Sequence, residues 1–343
     1  MVDRQQSHTQ DIFPSVVGHQ EIKEHLQAAL VHDTVSHAYL FEGMEGIGKR
    51  TLAREFAKAL LCTQPLEGHG PCGRCVSCQT MASGNHPDVI YLNAGEKASI
   101  SVETIREGLV QDISVMPYRS RFKVYIVEDA HRLTVQAQNA MLKTIEEPPG
   151  YGVILLLAAN VQNFLPTILS RCVRLRFVPL SYSTIGQALT ERYGVLPEKA
   201  AVCAAFSQGA LGRAIELAAS EEFGALRQEL CRFLVELPAK RESEILQFEA
   251  FFEQHKDQQE QIFELLLLWF RDLLVWREMQ DDRWILNRDM QSAVADSAAI
   301  YSREELMTIL SVIGDIQDKL KRNGNYSLAV DWLLLNMVRR TVH

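Results

Sequence analysis

Gly43-Met44-Glu45-Gly46-Ile47-Gly48-Lys49-Arg50-Thr51 is the stretch on which the fold turns. The apolar run Ala38-Tyr39-Leu40-Phe41 precedes it and reads as a short buried strand. Leu52 to Leu61 follows, with apolar residues at helical spacing. A strand, a glycine-rich turn ending Gly-Lys, and a helix form a phosphate cradle. Gly43, Gly46 and Gly48 let backbone N–H groups converge on phosphate oxygens, and the helix N-terminus adds positive potential. Lys49 would reach the β and γ phosphates of ATP. The hydroxyl that should come next, to ligate Mg²⁺, is missing: Arg50 stands there and Thr51 comes one residue late. A guanidinium cannot ligate a metal, and one step along a helix turns a side chain by about 100°. The loop is therefore expected to hold phosphate but to be badly furnished for metal-assisted hydrolysis. A glycine-rich turn without a ligand is the bland alternative, and the flanking strand and helix count against it.

Outward from the loop, strands and helices alternate. Val89–Leu92, Phe122–Val127, Val153–Ala159 and Val173–Val178 read as strands. Helices are expected over Gln20–Val31, Val102–Met116 and Val135–Ile145, with a short one over Leu165–Cys172. That order, with several continuous apolar strands, means a parallel α/β sheet. Phe122–Val127 ends in Glu128-Asp129-Ala130-His131. An acidic pair at the carboxyl end of a parallel strand is where a nucleotide hydrolase holds Mg²⁺ and orients water, so Asp129 joins the nucleotide-site candidates. Two solvated carboxylates at a strand end are the alternative. Asn160, at the tip of the next strand, is placed to sense a γ-phosphate. Residues 1–11 read as a mobile tail, and Phe13–Gln20 as a compact turn with Val16 and Val17 exposed.

Seven cysteines are present, an odd number. Cys62, Cys72, Cys75 and Cys78 cluster directly after the loop helix, among glycines and prolines that read as loop and let the thiols converge. Four thiolates with two C-x2-C steps suit tetrahedral Zn²⁺ in a closed, structural site. An iron–sulfur cluster also uses four thiolates, but nothing else in the chain suggests redox work. His69 is a possible stand-in ligand. Cys172, Cys203 and Cys231 read as buried thiols, which favours a metal site in a cytoplasmic protein over a disulfide framework.

The length, 343 residues, allows two or three domains, and 47% apolar residues allow sizeable cores. A net charge of −8 argues against a dedicated nucleic-acid-coating protein. The longest apolar run, Leu265 to Phe270, is far too short to span a bilayer, and no secretory signal opens the chain. Composition changes near Leu180. Short helices are expected over Ser181–Tyr193, Pro197–Phe206 and Ala214–Ala219. Longer ones follow over Leu226–Leu237, Glu242–Met279, Arg303–Leu320 and Ser327–Val342. The stripes Leu265, Trp269, Leu273, Trp276 and Leu328, Trp332, Leu335 read as bundle core.

Taken together, several motifs resemble the bacterial clamp-loader AAA+ subunits, which load the sliding clamp for DNA polymerase III. They are Val16-Val17-Gly18-His19, the phosphate loop, the four-cysteine insertion, Leu142-Lys143-Thr144-Ile145-Glu146-Glu147-Pro148-Pro149, and Ser170-Arg171-Cys172. The likeness covers roughly residues 10–220, and the helical remainder more weakly. It implies an α/β AAA+ P-loop core over residues 1–179 with a zinc module at 62–78. A small all-α lid over 180–222 and an all-α collar for oligomerisation over 223–343 would follow.

Carried over residue by residue, Val17, Gly43, Gly46, Gly48, Lys49, Arg50, Thr51 and Asp129 surround a nucleotide. Cys62, Cys72, Cys75 and Cys78 match zinc ligands. Arg171 would be an arginine finger for the neighbouring subunit's ATP. The implied partners are gamma/tau and delta subunits in a hetero-pentameric ring, with the sliding clamp and primer-template DNA reached through the complex. No membrane is implied.

Three departures mark this chain. Gamma/tau ATPases look like Gly-Lys-Thr with Asp-Glu-x-His, whereas Gly-Lys-Arg and Glu128-Asp129-Ala130-His131 stand here. Swapping the acids moves each carboxylate by roughly 1–1.5 Å, and misplacement on that scale costs about 100-fold in rate. The family's lid arginine belongs where Gly212 sits, and Arg213 is one position late. The expectation is a stator with weak or no hydrolysis of its own that serves a neighbour through Arg171. An active gamma/tau-type ATPase is the alternative, and an unrelated AAA+ regulator a third reading. No polymerase metal site is visible.

Overall fold

The computed structural model describes residues 11–66, 69–237, 246–322 and 324–337. The expected tail before residue 11, the start of the helix expected from Glu242 and the end of the one expected to Val342 lie outside these. Two compact units emerge. One runs to Thr184 and includes Gly209–Arg213; the other comprises Ile185–Gln208 and the chain from Ala214 onward.

The first unit is built on five parallel strands. In chain order its elements are α1 (Gln20–Val31), β1 (Ala38–Glu42), α2 (Lys49–Leu61), α3 (Val76–Ala82), β2 (Val89–Leu92), α4 (Val102–Ile105), β3 (Lys123–Val127), α5 (Val135–Glu146), β4 (Gly152–Ala158), α6 (Pro166–Leu169) and β5 (Val173–Arg176). Strand order is β2-β3-β4-β1-β5. β4 is buried along its whole length, as an apolar run covered on both faces must be. Side chains alternate across the sheet, so Tyr39 and Phe41 join one core with Leu26 and Phe56, while Leu40 joins the other with Met141 and Leu156.

Three expectations in this unit are corrected. Val16 is buried at 3% exposure, because it packs into the core with Phe13, Leu26 and Phe41. The helix expected over Val102–Met116 is α-helical only to Ile105; a π turn follows over Arg106–Gln111 and a 3-10 turn over Asp112–Ser114. Ile105, Leu109 and Ile113 are all buried and four apart. Such a series drifts by about 40° per step in an α-helix, and the wider turn returns it to one face. The cysteine segment is not all loop: α3 starts at the Cys75 N-cap, whose sulfur accepts the Cys78 N–H at 3.4 Å.

The second unit is helical. α7 (Tyr182–Tyr193), which begins in the first unit's span, leads to α8 (Pro197–Phe206) and α9 (Leu211–Ala219). Then come α10 (Glu221–Glu236), α11 (Leu246–Gln254), α12 (Gln259–Met279), α13 (Gln291–Ile300), α14 (Arg303–Lys321) and α15 (Tyr326–Met337). Trp269, Phe270 and Leu273 of α12 are buried at its centre. The single helix expected to Met279 is broken at His255 by a 3-10 turn. The polar run from Glu253 to Gln261 offers no apolar stripe to hold it continuous there. On α15 the buried face is Val330, Leu333, Leu334 and Met337; Leu328 and Leu335, expected in the core, are 66% and 52% exposed. Among the described residues, no helix is long and apolar enough to cross a membrane.

Candidate functional site

The phosphate loop leaves β1 at the carboxyl end of the sheet and enters α2 at Lys49. Gly46 and Gly48 have φ of 71° and 112°, conformations that side chains with a Cβ rarely adopt. The Gly212 N–H donates to the Gly46 carbonyl at 2.7 Å, and a Cβ on Gly212 would lie 2.9 Å from that oxygen. A glycine at the position expected to carry the lid arginine is thus what allows this close approach. His19 braces the loop from the other side: its Nε2 is 3.0 Å from the Ile47 carbonyl and its ring lies 4.7 Å from that of Phe177. In the sequence His19 stands out only as the end of the Val16-Val17-Gly18-His19 motif, with no local signal for this contact.

Lys49 turns back into its own loop, donating to the Gly43 carbonyl and to Met44 O at 2.7 Å. Burial lowers its pKa, against the pull of nearby Glu45 and Asp129. Only β4 separates β1 from β3, so the acidic pair stands two strand spacings from the loop, roughly 10 Å. Arg50 crosses that gap. Its Nε lies 2.7 Å from Glu128 Oε1, an ion pair whose arginine is mostly exposed and whose carboxylate is largely covered. That oxygen accepts no well-aligned hydrogen bond, so the contact is ionic. Asp129 is exposed, with φ of 50°, and Thr51 points to solvent. Val17 is half-buried in the turn before His19. Asn160 Oδ1 accepts the Gln162 N–H at 3.2 Å.

Arg171 sits elsewhere. It lies between α6 and β5, before the strand that runs parallel to β1, at the amino end of the sheet. Five strand residues separate that end from the phosphate loop, roughly 16 Å. Its Nη2 pairs with Glu146 Oε1 at 2.8 Å, and its Nη1 donates to Thr167 O at 3.0 Å. Both members of the ion pair remain substantially exposed. Buried Gln138 fixes the approach to α6, donating to Asn163 O at 2.8 Å and accepting the Leu165 N–H at 2.8 Å.

The four clustered thiols converge. All four sulfurs of Cys62, Cys72, Cys75 and Cys78 lie within 4.8 Å of one another, with Cys62 to Cys75 at 3.9 Å and Cys72 to Cys78 at 4.0 Å. Tetrahedral Zn²⁺ with Zn–S near 2.3 Å needs sulfurs about 3.8 Å apart. A cluster of four irons spreads its thiolates wider than a single ion does, so the spacing fits one metal ion. Backbone N–H groups of Cys72, Cys75 and Cys78 point at sulfurs at 3.3–3.4 Å, as thiolate ligands require. Burial opposes ionisation of Cys75, but hydrogen bonds from Cys78 and Thr63 outweigh it and bring the thiol down to about 5. His69 is not part of the cluster.

The sequence matches known families at both ends. Residues 18–181 match the family described as DNA polymerase III, delta subunit, and residues 221–338 the family described as DNA polymerase III, delta subunit, C terminal. The delta' subunit of Bacillus subtilis DNA polymerase III is 30% identical over 315 residues, covering 90% of this chain and 93% of that one. The delta' subunit of Pseudomonas aeruginosa is 43% identical over 142 residues, 40% of this chain and 42% of that one. The tau/gamma subunit of Haemophilus influenzae is 39% identical over 177 residues, 52% of this chain. The chain spans only 25% of that longer relative. Full-length similarity therefore runs to delta', while the likeness to tau/gamma covers about half of the chain, and the chain belongs to the DNA polymerase III delta' family.

Proposed function

We propose that this chain is the stator-type delta' member of the cytoplasmic clamp loader. It would take part in ATP-driven loading of the sliding clamp onto primer-template DNA, beside gamma/tau and delta subunits in a hetero-pentameric ring. Within that assembly Arg171 serves in trans as the arginine finger for a neighbour's ATP. The chain's own phosphate loop hydrolyses little or nothing. Residues 1–179 act as the AAA+ core, 180–222 as the lid and 223–343 as the collar, and Cys62, Cys72, Cys75 and Cys78 hold a structural Zn²⁺.

The observation that carries this reading is the position of Arg171. A guanidinium at the amino end of the sheet cannot reach a phosphate cradled roughly 16 Å away at the carboxyl end. An extended arginine covers less than half of that, so its cation cannot serve the chain's own loop, which supports a role toward another protomer. Its ion pair with Glu146 is exposed, worth about 0–1 kcal/mol, and gives way cheaply to a better anion. Two features support weak hydrolysis in cis. Arg50 holds the carboxylate that would otherwise face Mg²⁺, and Lys49 is spent on its own loop's carbonyls. The retained Lys49 and loop glycines are what favours the second reading, an active gamma/tau-type ATPase.

The deciding experiment compares ATP hydrolysis by the lone chain and by the reconstituted loader, each with and without Arg171→Ala. An arginine finger contributes about 10³–10⁵ in rate, so hydrolysis at the adjoining site should be abolished while the lone chain stays near background. Robust turnover by the lone chain, lost on Lys49→Ala, would instead establish the second reading.

A further inference from the structure

Beyond its sulfurs, the cysteine module leads to a second surface. Ser77 on α3 is buried, with its Oγ 2.7 Å from His86 Nε2 and 3.3 Å from Ser120 Oγ. Asp88, only 1% exposed, accepts the backbone N–H groups of Tyr118, Arg119 and Ser120. The turn from Val115 to Arg121 is thus pinned from beneath, yet its side chains face outward: Val115 is 59% exposed, Met116 73% and Tyr118 78%. A rigid backbone presenting large uncovered apolar side chains is the anatomy of a recognition surface.

Beside that turn lies a cleft of about 450 Å³. Its floor is apolar, with Leu30, Val35, Leu60 and Phe122. Arg119, Arg121 and His69 edge it. The single acid among its described lining residues is Asp33, paired with Arg121 Nη2 at 2.7 Å, both side chains open to solvent. On a chain of net charge −8 this is a local basic rim around an apolar floor. The chain's own carboxylate already rests on one of its guanidinium groups.

We propose that this cleft is the docking site of an acidic peptide segment of a partner protein. One apolar side chain of the segment sits on the floor, and a carboxylate takes the place of Asp33 on Arg121. The charge complementarity names the partner's sign, and the enclosed apolar floor names a side-chain anchor. A nucleic-acid strand wants a long basic track with successive stacking rings, whereas the basic groups here cluster around one pocket.

The test titrates the full zinc-loaded chain with fluorescein-labelled dodecapeptides rich in Asp and Glu that carry one Leu or Phe. The same peptides with Asn and Gln in place of the acids, and a labelled twelve-residue oligothymidylate, run alongside. The acidic peptides should bind at least tenfold tighter than their amide versions. The exposed double substitution Arg119→Ser with Arg121→Ser should cost at least tenfold at an unchanged melting temperature. Asp33→Asn, which suits the left-handed backbone at φ 55°, should tighten binding several-fold by freeing Arg121. Equal binding of acidic and amide peptides, or no effect of the double variant, overturns the proposal. So does tighter binding of the oligonucleotide through the same arginines. If the double variant does not fold, Asp33→Asn decides alone, and unchanged or weaker binding overturns it.

Discussion

Asp88→Asn tests how the core supports its most exposed turn. The carboxylate is buried and faces three backbone N–H groups, with N···O of 3.0 Å from Arg119 and 2.9 Å from Ser120 alongside the shorter bond from Tyr118. Hydrogen bonds to a charged acceptor are worth about 1.5–3 kcal/mol each, against about 0.5–1.5 for neutral ones. Asparagine keeps one oxygen for two of the donors, which weakens each by roughly 1 kcal/mol, and turns an amide N–H toward the third. A buried donor left unmatched costs about 1–3 kcal/mol more, so the total is about 3–5 kcal/mol. For a unit of this size that lowers the melting temperature by roughly 10 °C.

The pH dependence follows from the same contacts. Burial opposes ionisation of Asp88, but the N–H groups of Tyr118, Arg119 and Ser120 outweigh it and hold the folded-state pKa below the ordinary value. A depressed carboxylate stabilises the fold fully above its unfolded pKa, near 3.9, and loses that contribution as pH falls through the folded value. The deficit of Asp88→Asn should therefore be constant from about pH 5 to 8 and shrink below about pH 4. Thermal melts of both proteins across that series measure it. Coincident melts at pH 7, or a deficit that grows on acidification, would refute the reasoning.

Three further outcomes are expected. Cys75→Ser should lower the bound zinc and the melting temperature by several degrees, and chelation of the wild type should do the same; metal analysis that finds no zinc in fresh protein contradicts it. Arg50→Thr supplies the missing hydroxyl and releases Glu128, so Mg²⁺-dependent binding of a fluorescent ATP analogue should tighten several-fold; unchanged affinity would show that Arg50 does not occupy the metal's space. Trp269→Ala empties the most voluminous fully buried side chain from α12 and should cost about 3–5 kcal/mol in urea unfolding of the helical unit.

Most of the core was legible because its signals are local. Gly43 to Thr51, between an apolar strand and an amphipathic helix, specifies both the loop and the parallel sheet around it. Val153 to Ala159 announces a central strand by having no polar face. The spacing of the four cysteines foretold convergence, though not that a helix would begin at Cys75. What stayed hidden depends on contacts distant in sequence. Val16 looks exposed until the sheet covers it. The π turn after Ile105 answers to the packing of Leu109 and Ile113, which propensity does not record. Leu328, Trp332 and Leu335 form as good an apolar stripe as the true inner face of α15, and only packing chose between them. At the site, the sequence told that Arg50 was misplaced; that it pairs with Glu128, and that Gly212 reaches Gly46, required the fold.

The strand order also sets a sequence of assembly. β1 finds its partner β4 only after more than a hundred intervening residues, Ala38 against Ile154. The thiol cluster closes over a span several times shorter, Cys62 to Cys78. Chain-closure entropy scales with the logarithm of that span, so the longer closure is dearer by about 2 kcal/mol before any contact rewards it. During synthesis the four thiols can be drawn together while the middle of the sheet is still waiting for its last central strand to be translated.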